Sequence, residues 1–415
     1  MGKKVIVIGG GAAGLMAAYH IAEKGHGVIV LEKMEKCCRK VRITGKGRCN
    51  ITNTRQPEQI LEKVRAGREF VSGALYSYPS QKVIDFFEKF GVETVVERGD
   101  RVFPKSGKAW DVASALERAA KSAGAEILCN AKVEYIDVTR DGKICGIEYS
   151  SKGKGRQKLI CDTVVVATGG CSYSLTGSDG DGYNFAYELG HEIMPLFPSL
   201  VPLEVKSNHL KQLNRLLLKN INVKLEINGE SVREEFGELE FTQFGIMGAA
   251  VLKLSRDAVS ALIDKKRVSV ILDIKPSLSV AKLMGRFSRE LEANQNLNVQ
   301  GLLRKLMPQP LVSALIDYIK IRPNMFVREL TEKQREHIIS SIKSYKLEVI
   351  TYRSFREAIV TAGGVSTKEV EKSTMESKIV GGLYFVGEVL DIDADTGGYN
   401  LQLAFSTAYQ MAKNL

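Results

Sequence analysis

The first apolar stretch of the chain, Val5-Ile6-Val7-Ile8, has no polar position on either face. A continuous β-branched run of this kind predicts a strand covered on both sides, as in a parallel sheet. Apolar positions then recur at helical spacing from Leu15 to Ala22, stop at Gly25, and give way to Val28-Ile29-Val30-Leu31, which closes on Glu32. Strand, helix and strand in that order predict a βαβ unit. Two further strand-like runs lie far along the chain, Thr163-Val164-Val165-Val166-Ala167 and Gly382-Leu383-Tyr384-Phe385-Val386. The intervening region has a different pattern. Val223–Ile227 and Val268–Leu272 read as strands, and from Val280 to Tyr318 the spacing turns helical, broken by Pro308 and Pro310. The expected fold is α/β. A split Rossmann-like domain covers 1–194 and 354–415. An inserted β-rich domain covers 195–275 and 341–353, and a small helical subdomain covers 276–340.

The glycines give the opening unit a chemical meaning. Gly9, Gly11 and Gly14 form G-x-G-x-x-G between the first strand and the helix. Gly9 permits the tight turn, Gly11 lets backbone approach a pyrophosphate, and Gly14 allows close helix–strand packing. The helix start at Ala12 and Ala13 offers unpaired N–H groups to phosphate, and Glu32 is placed to bind a ribose diol. An acid there disfavours a 2′-phosphate, so FAD or NAD fits better than NADP. A second glycine-rich helix start, Gly397-Gly398-Tyr399-Asn400-Leu401, follows the strand that runs into Gly387-Glu388. No second G-x-G-x-x-G occurs, so a nicotinamide donor would have to visit transiently in front of a flavin rather than occupy its own domain.

Composition narrows the class. The 415 residues are 44% hydrophobic and 26% charged, which excludes a disordered chain, and no apolar run approaches the ~18 residues of a membrane helix. Met1-Gly2-Lys3-Lys4 leads straight into a strand with no signal-cleavage pattern, and the seven cysteines are odd in number with no pair of C-x-x-C spacings. The expectation is a cytoplasmic protein with reduced thiols and no metal site. The net charge is +11, and residues 39–68 hold nine Lys and Arg against Glu58 and Glu62, a local +7. Such a cluster is either a solvated face that partly serves the cofactor phosphates through Lys40 and Arg48, or a surface for a polyanion such as RNA.

Between these elements, Gly45-Lys46-Gly47-Arg48-Cys49-Asn50-Ile51-Thr52-Asn53 resembles the G-x-G-R-C-N-[IV]-T-N signature of the BaiN/RdsA-type flavoproteins, FAD-dependent oxidoreductases with two dinucleotide folds that include aminoacetone-oxidase-like members. Gly169-Gly170 with Ser172-Tyr173, Val360-Thr361-Ala362-Gly363-Gly364-Val365, Thr374–Lys378 and the closing G-G-Y-N-L-Q at 397–402 match the same family. The chain departs from it at 240–250, which lacks the frequent Ser-Gly-Pro, at Ser174 for a frequent Pro, and at Leu403 for a frequent Trp.

The resemblance implies that the split Rossmann-like domain is an FAD-binding domain of the glutathione-reductase type, with FAD contacts at Gly9, Gly11, Ala12, Ala13, Gly14, Glu32 and Lys33, and along Lys40, Gly45, Gly47, Arg48, Cys49 and Asn50. It implies further contacts at Val133, Ala167, Thr168, Gly169, Gly387, Glu388, Gly397, Gly398, Asn400 and Leu401. Glu388 would hold the ribityl hydroxyls, and Asn400 and Leu401 would face the pyrimidine end of the ring.

Cys49 is the candidate catalytic residue. The adjacent Arg48 is expected to lower its pKa, and a thiol beside a flavin can donate a proton; the alternative is that a small residue is needed there to fit the ring. Cys37-Cys38 are expected to be inert, and no histidine lies in a catalytic or metal motif.

The function expected is reduction of a C=C bond by flavin hydride transfer, with uridine in 23S ribosomal RNA as the substrate suggested by RdsA-type members. The alternatives are an unsaturated bile-acid-type intermediate or a small amine such as aminoacetone, and, in another class, a flavin-holding RNA-binding or assembly factor.

Overall fold

The computed structural model describes residues 2–151, 153 and 155–415. The chain folds into two units. One runs to Pro198 and resumes at Phe355, and the other is Ser199–Ser354.

The core of the first unit is a five-stranded parallel sheet. Its order is Leu383–Phe385, Thr163–Val166, β1 (Lys4–Ile8), β2 (Gly27–Glu32) and Glu126–Cys129. β1 lies between β2 and the Thr163 strand, in a register that sets Val5 beside Val28 and Thr163. Val5, Val7, Val164, Val165 and Val166 are buried, which is why their sequence shows no alternation. The helix α1 (Ala12–Glu23) lies on this sheet because Gly14 has no side chain: a Cβ there would sit 1.9 Å from the Gly9 carbonyl oxygen. The C-terminal helix, Tyr399–Lys413, packs on α1 and on the helix Arg68–Ser77. Residues 131–160 supply a three-stranded antiparallel sheet, Ala131–Val138, Ile144–Ser151 and Gly155–Ile160. The signature segment begins as a short helix, α2 (Arg39–Gly47), whose end leaves helical geometry at Thr44, Gly45 and Lys46. Only Val41 of this helix is buried, so the segment carries no periodic apolar signal that would have announced it.

The second unit is a closed barrel of six strands with helices attached. Its strand order is Leu203–Val205, Gly245–Met247, Glu230–Phe241, Leu217–Ile227, Val268–Asp273 and Tyr345–Tyr352. Alternate residues Val223, Leu225, Val268, Val270, Leu272, Leu347 and Val349 are buried, the period of two expected of a strand with one covered face. The helices Val280–Ala293, Val299–Arg304, Gln309–Ile319 and Glu332–Lys343 follow between the last two of these strands in the sequence. Pro310 sits in the first turn of the third helix, where its missing N–H costs nothing. Among the described residues, no helix is long and apolar enough to cross a membrane.

Candidate cofactor-binding site

The first wall of the site is the turn between β1 and α1. Gly9 has φ +103°, and a Cβ on it would lie 2.6 Å from the Ala167 carbonyl oxygen, so this turn and the Ala167-Thr168-Gly169 turn are in contact. Gly11 is the opposite case, since a Cβ there would meet nothing within 4 Å. Gly11 is also the N-cap of α1 and no side chain caps it, so the N–H groups of Ala12 and Ala13 face an open cradle. The Glu32 carboxylate takes the Gly10 N–H at 2.9 Å and the Met34 N–H at 2.8 Å, which fixes the turn; burial nonetheless raises its pKa. Lys33 is turned onto Asp179 and, at 2.7 Å, Asp181. Burial acts to lower its pKa, and the two carboxylates outweigh that and raise it.

A second wall joins segments far apart in sequence. A Cβ on Gly387 would lie 2.8 Å from the Ala13 Cβ, which sets the Gly387-Glu388 turn against the start of α1. Glu388 accepts the Lys40 ammonium at 2.7 Å and the Thr361 N–H at 2.9 Å. The Thr361 hydroxyl in turn accepts the N–H groups of Cys171, at 2.8 Å, and Ser172, at 3.1 Å. One chain of bonds therefore ties α2, the Glu388 turn and the loop after Gly170. Thr361 and Ser172 were legible only as motif residues. The physical signal for Thr361 was a lone hydroxyl in an otherwise apolar strand whose side chain has to find a partner.

The third wall is where the signature meets the start of the C-terminal helix. A Cβ on Gly398 would lie 2.4 Å from the Thr52 carbonyl oxygen, and the Asn53 amide donates to the Gly397 carbonyl at 3.2 Å. Gly398 caps the helix with backbone only, so its first N–H groups have no side-chain partner. The Asn400 side chain is engaged elsewhere: it accepts the Ala394 N–H at 3.0 Å and donates to the Ala394 carbonyl at 2.8 Å. What this position offers a ligand is its backbone N–H. Asn50 Oδ1 is buried and has no partner among the described residues.

Cys49, in the same wall, is fully buried with φ +59°. Burial pushes its thiol up to about 12, against a smaller opposing effect of Thr44. Arg48 does not lower it, because the guanidinium is paired with Glu97 and lies 4.3 Å from the Phe103 ring centre. Gly45 sits beside Phe103, while Gly47 faces open space. Val133 is buried on the first strand of the three-stranded sheet, opposite Tyr149, and that strand packs against β2. Among the described residues, no group of His, Cys, Asp or Glu could hold a metal ion.

These walls fit a dinucleotide. Two uncapped helix starts supply N–H donors, Gly11 leaves the space a phosphate needs, and the orphaned Asn50 oxygen awaits a donor.

The charges are distributed differently from the local count. Of the nine cations in 39–68, Arg39 pairs with Glu35, Lys40 with Glu388, Arg42 with Glu117, Arg48 with Glu97 and Arg55 with Asp100. Residues 199–354 hold 25 Lys and Arg against 17 Asp and Glu, a net +8, which leaves +3 for the rest of the chain.

A family model described as HI0933-like protein Rossmann domain matches residues 3–414. A 3-dehydro-bile acid delta(4,6)-reductase of Clostridium scindens is 31% identical over 409 residues, covering 98% of this chain and 97% of that protein. A ribosomal RNA dihydrouridine synthase of Haemophilus influenzae is 29% identical over 412 residues, 99% of this chain and 98% of that one. Among solved structures, a 3-ketosteroid delta1-dehydrogenase from Sterolibacterium denitrificans superposes with a TM-score of 0.57 at 12% identity over 99% of both chains, a likeness of fold. The chain belongs to the HI0933-like family of FAD-dependent oxidoreductases with a Rossmann domain.

Proposed function

We propose that this oxidoreductase reduces the C5=C6 bond of a uracil base in large-subunit ribosomal RNA. The observation that carries the reading is the +8 held by residues 199–354, an excess suited to a polyanion and of no evident use for a small neutral substrate. A relative aligned over nearly the whole chain, the Haemophilus influenzae protein, is named for that activity.

A bound FAD, once reduced by the electron donor, would supply a hydride, which together with one proton would saturate the double bond. The chain's own part is binding, orientation and the proton. The N–H groups of Ala12 and Ala13 take the pyrophosphate, and Glu32 takes the adenosine ribose. Glu388, held by Lys40 and Thr361, would hold the ribityl hydroxyls. The backbone N–H groups after Gly398 and the Asn50 oxygen serve the ring. Cys49, whose thiol burial keeps protonated, is the proposed proton donor, a role that requires the bound substrate to bring its pKa down toward neutrality. A nicotinamide cofactor visits as the electron donor.

The test is direct. Purified protein loaded with FAD is given NAD(P)H and a 23S ribosomal RNA transcript, and dihydrouridine is read by mass spectrometry of the digested RNA. Absence of dihydrouridine from a protein whose flavin is reduced sinks the reading. RNA binding without turnover would leave a binding or assembly factor. A second reading is favoured by the 31% identity to the bile acid reductase: a small unsaturated steroid-type acid as substrate. It predicts that a conjugated 3-oxo bile acid reoxidises the reduced flavin and that RNA does not.

A further inference from the structure

The helix Val280–Ala293 of the second unit buries Leu283, Phe287 and Leu291. Its opposite face carries Lys282, Arg286 and Arg289, spaced four and three residues apart and therefore neighbours on one stripe. Among the described residues, none of the three side chains has an acidic or hydrogen-bonding partner.

Several features make this face electrostatically unfavourable as it stands. Like charges at these spacings repel. Lys282 lies in the first turn, where the helix dipole is positive, and no acid occupies that turn. Of the two acids on the helix, Glu290 is turned away to Lys305 at 3.4 Å, and exposed Glu292, three residues after Arg289, makes no ion pair with it. Just before the helix, half-buried Lys275 has its pKa lowered by burial and by the charge of Arg286, while its neighbour Lys343 is consumed by Asp273 at 2.6 Å. Gly285, a residue that weakens a helix interior, leaves the space along which Arg289 lies: its Nη1 is 3.7 Å from where a Gly285 Cβ would be.

We infer that the Lys282–Arg286–Arg289 face, with Lys275 at its start, is the surface on which the second unit binds the phosphate backbone of RNA. The inference rests on the RNA reading above and locates the contact away from the 39–68 cluster, whose cations are largely neutralised. Phosphates would supply the counter-charge that the fold withholds, without base-specific contact. A bilayer is the poorer partner, because the apolar face of this helix is committed to the core and cannot enter lipid.

The test compares the triple variant K282E/R286E/R289E with a control, K46E/K63E, which reverses the two cations of 39–68 that lack a partner among the described residues. Binding of a 23S ribosomal RNA transcript is measured against salt concentration. The triple variant is expected to bind about tenfold or more weakly, and its log–log salt slope to fall by about two to three, one contact per lost cation. The control is expected to stay within about twofold of the wild type, on the same single-site salt dependence. FAD content and thermal melting report that the triple variant is folded. Unchanged RNA affinity and slope in the folded triple variant would overturn the inference while leaving the RNA reading standing, as would an equal loss in the control. Failure of the wild type to bind RNA overturns both, and so does binding to phosphatidylglycerol vesicles in its place.

Discussion

In residues 39–68, five of nine cations end on carboxylates contributed by Glu35, Glu97, Asp100, Glu117 and Glu388, whereas along Lys282, Arg286 and Arg289 none does. The first region has the higher charge density in sequence and the lower one in space. Its acids arrive through tertiary contacts, one from the far end of the chain, and they turn a polybasic stretch into a scaffold around the cofactor cradle. The second region looks unremarkable when counted along the chain, yet among the described residues none of its three cations is held in an ion pair. A local surplus of Lys and Arg is therefore a weak guide to where a polyanion lands, because the attracting quantity is the uncompensated field.

The contrast can be stressed in several ways. The largest effect is expected in the cradle. Gly14→Val sets a side chain against the Gly9 carbonyl, where even a Cβ would lie at 1.9 Å, and FAD affinity should fall roughly a hundredfold, about 3 kcal/mol. Flavin absorbance of the purified protein reads this, and RNA affinity should hardly change if the two regions are independent.

Acid should separate the regions next. His20, largely covered in α1 beside Tyr19, Tyr78 and Tyr409, has its pKa lowered to about 4, below the usual 6.5, because desolvation disfavours its cation. The unfolded chain takes up a proton near pH 6.5 that the native state refuses until about pH 4. Stability is thus full above that window and lost as the pH falls through it, by about 3 kcal/mol in total. Urea titrations at pH 7 and pH 4 should show the loss, and His20→Phe should flatten it; an unchanged slope in that variant removes His20 from the account.

Smaller still is the paired network. Arg42→Ala strands Glu117, paired at 2.8 Å, and removes a guanidinium stacked 3.8 Å from the Trp110 ring centre. A loss of about 1–2 kcal/mol in denaturant unfolding is expected. The smallest change has the opposite sign. Arg286→Gln removes one charge and with it two like-charge pairs on one helix, and should raise stability by about 0.5 kcal/mol, seen as a higher melting temperature at low salt that vanishes at high salt. A variant that is more stable and binds RNA less well would show that this face is maintained for binding at the expense of folding.

Much of the fold was readable because both sources of signal agreed. β1 and the Thr163 strand are buried on both faces and carry unbroken apolar runs, and the glycines of the first turn are there because Gly9 needs φ +103° and Gly14 has no room for a Cβ. The barrel was only partly legible. Strands such as Glu230–Phe241 are largely exposed toward their start and alternate weakly, so charge masks the period. The site was legible in its glycines and less so in its side chains. Nothing in the sequence indicated that Asn400 spends its amide on Ala394, or that Arg48 faces Glu97 and leaves the Cys49 thiol to the effect of burial. Those outcomes depend on partners brought from elsewhere in the chain, and a motif read in isolation cannot supply them.

The sheet order has a consequence for how the molecule is made. The Thr163–Val166 strand pairs on one side with Leu383–Phe385, and α1 is covered by Tyr399–Lys413. Until residues 383–413 have been made, that strand edge and the side of α1 facing Tyr399–Lys413 lack this cover. The barrel unit, contiguous from 199 to 354, can close first. The flavin domain is left as a half-built sheet with a bare edge during synthesis, the state most exposed to aggregation. Free cofactor in the cell can therefore act as a late folding partner, since the Gly387-Glu388 and Gly397-Gly398 walls of its cradle exist only after that segment has docked.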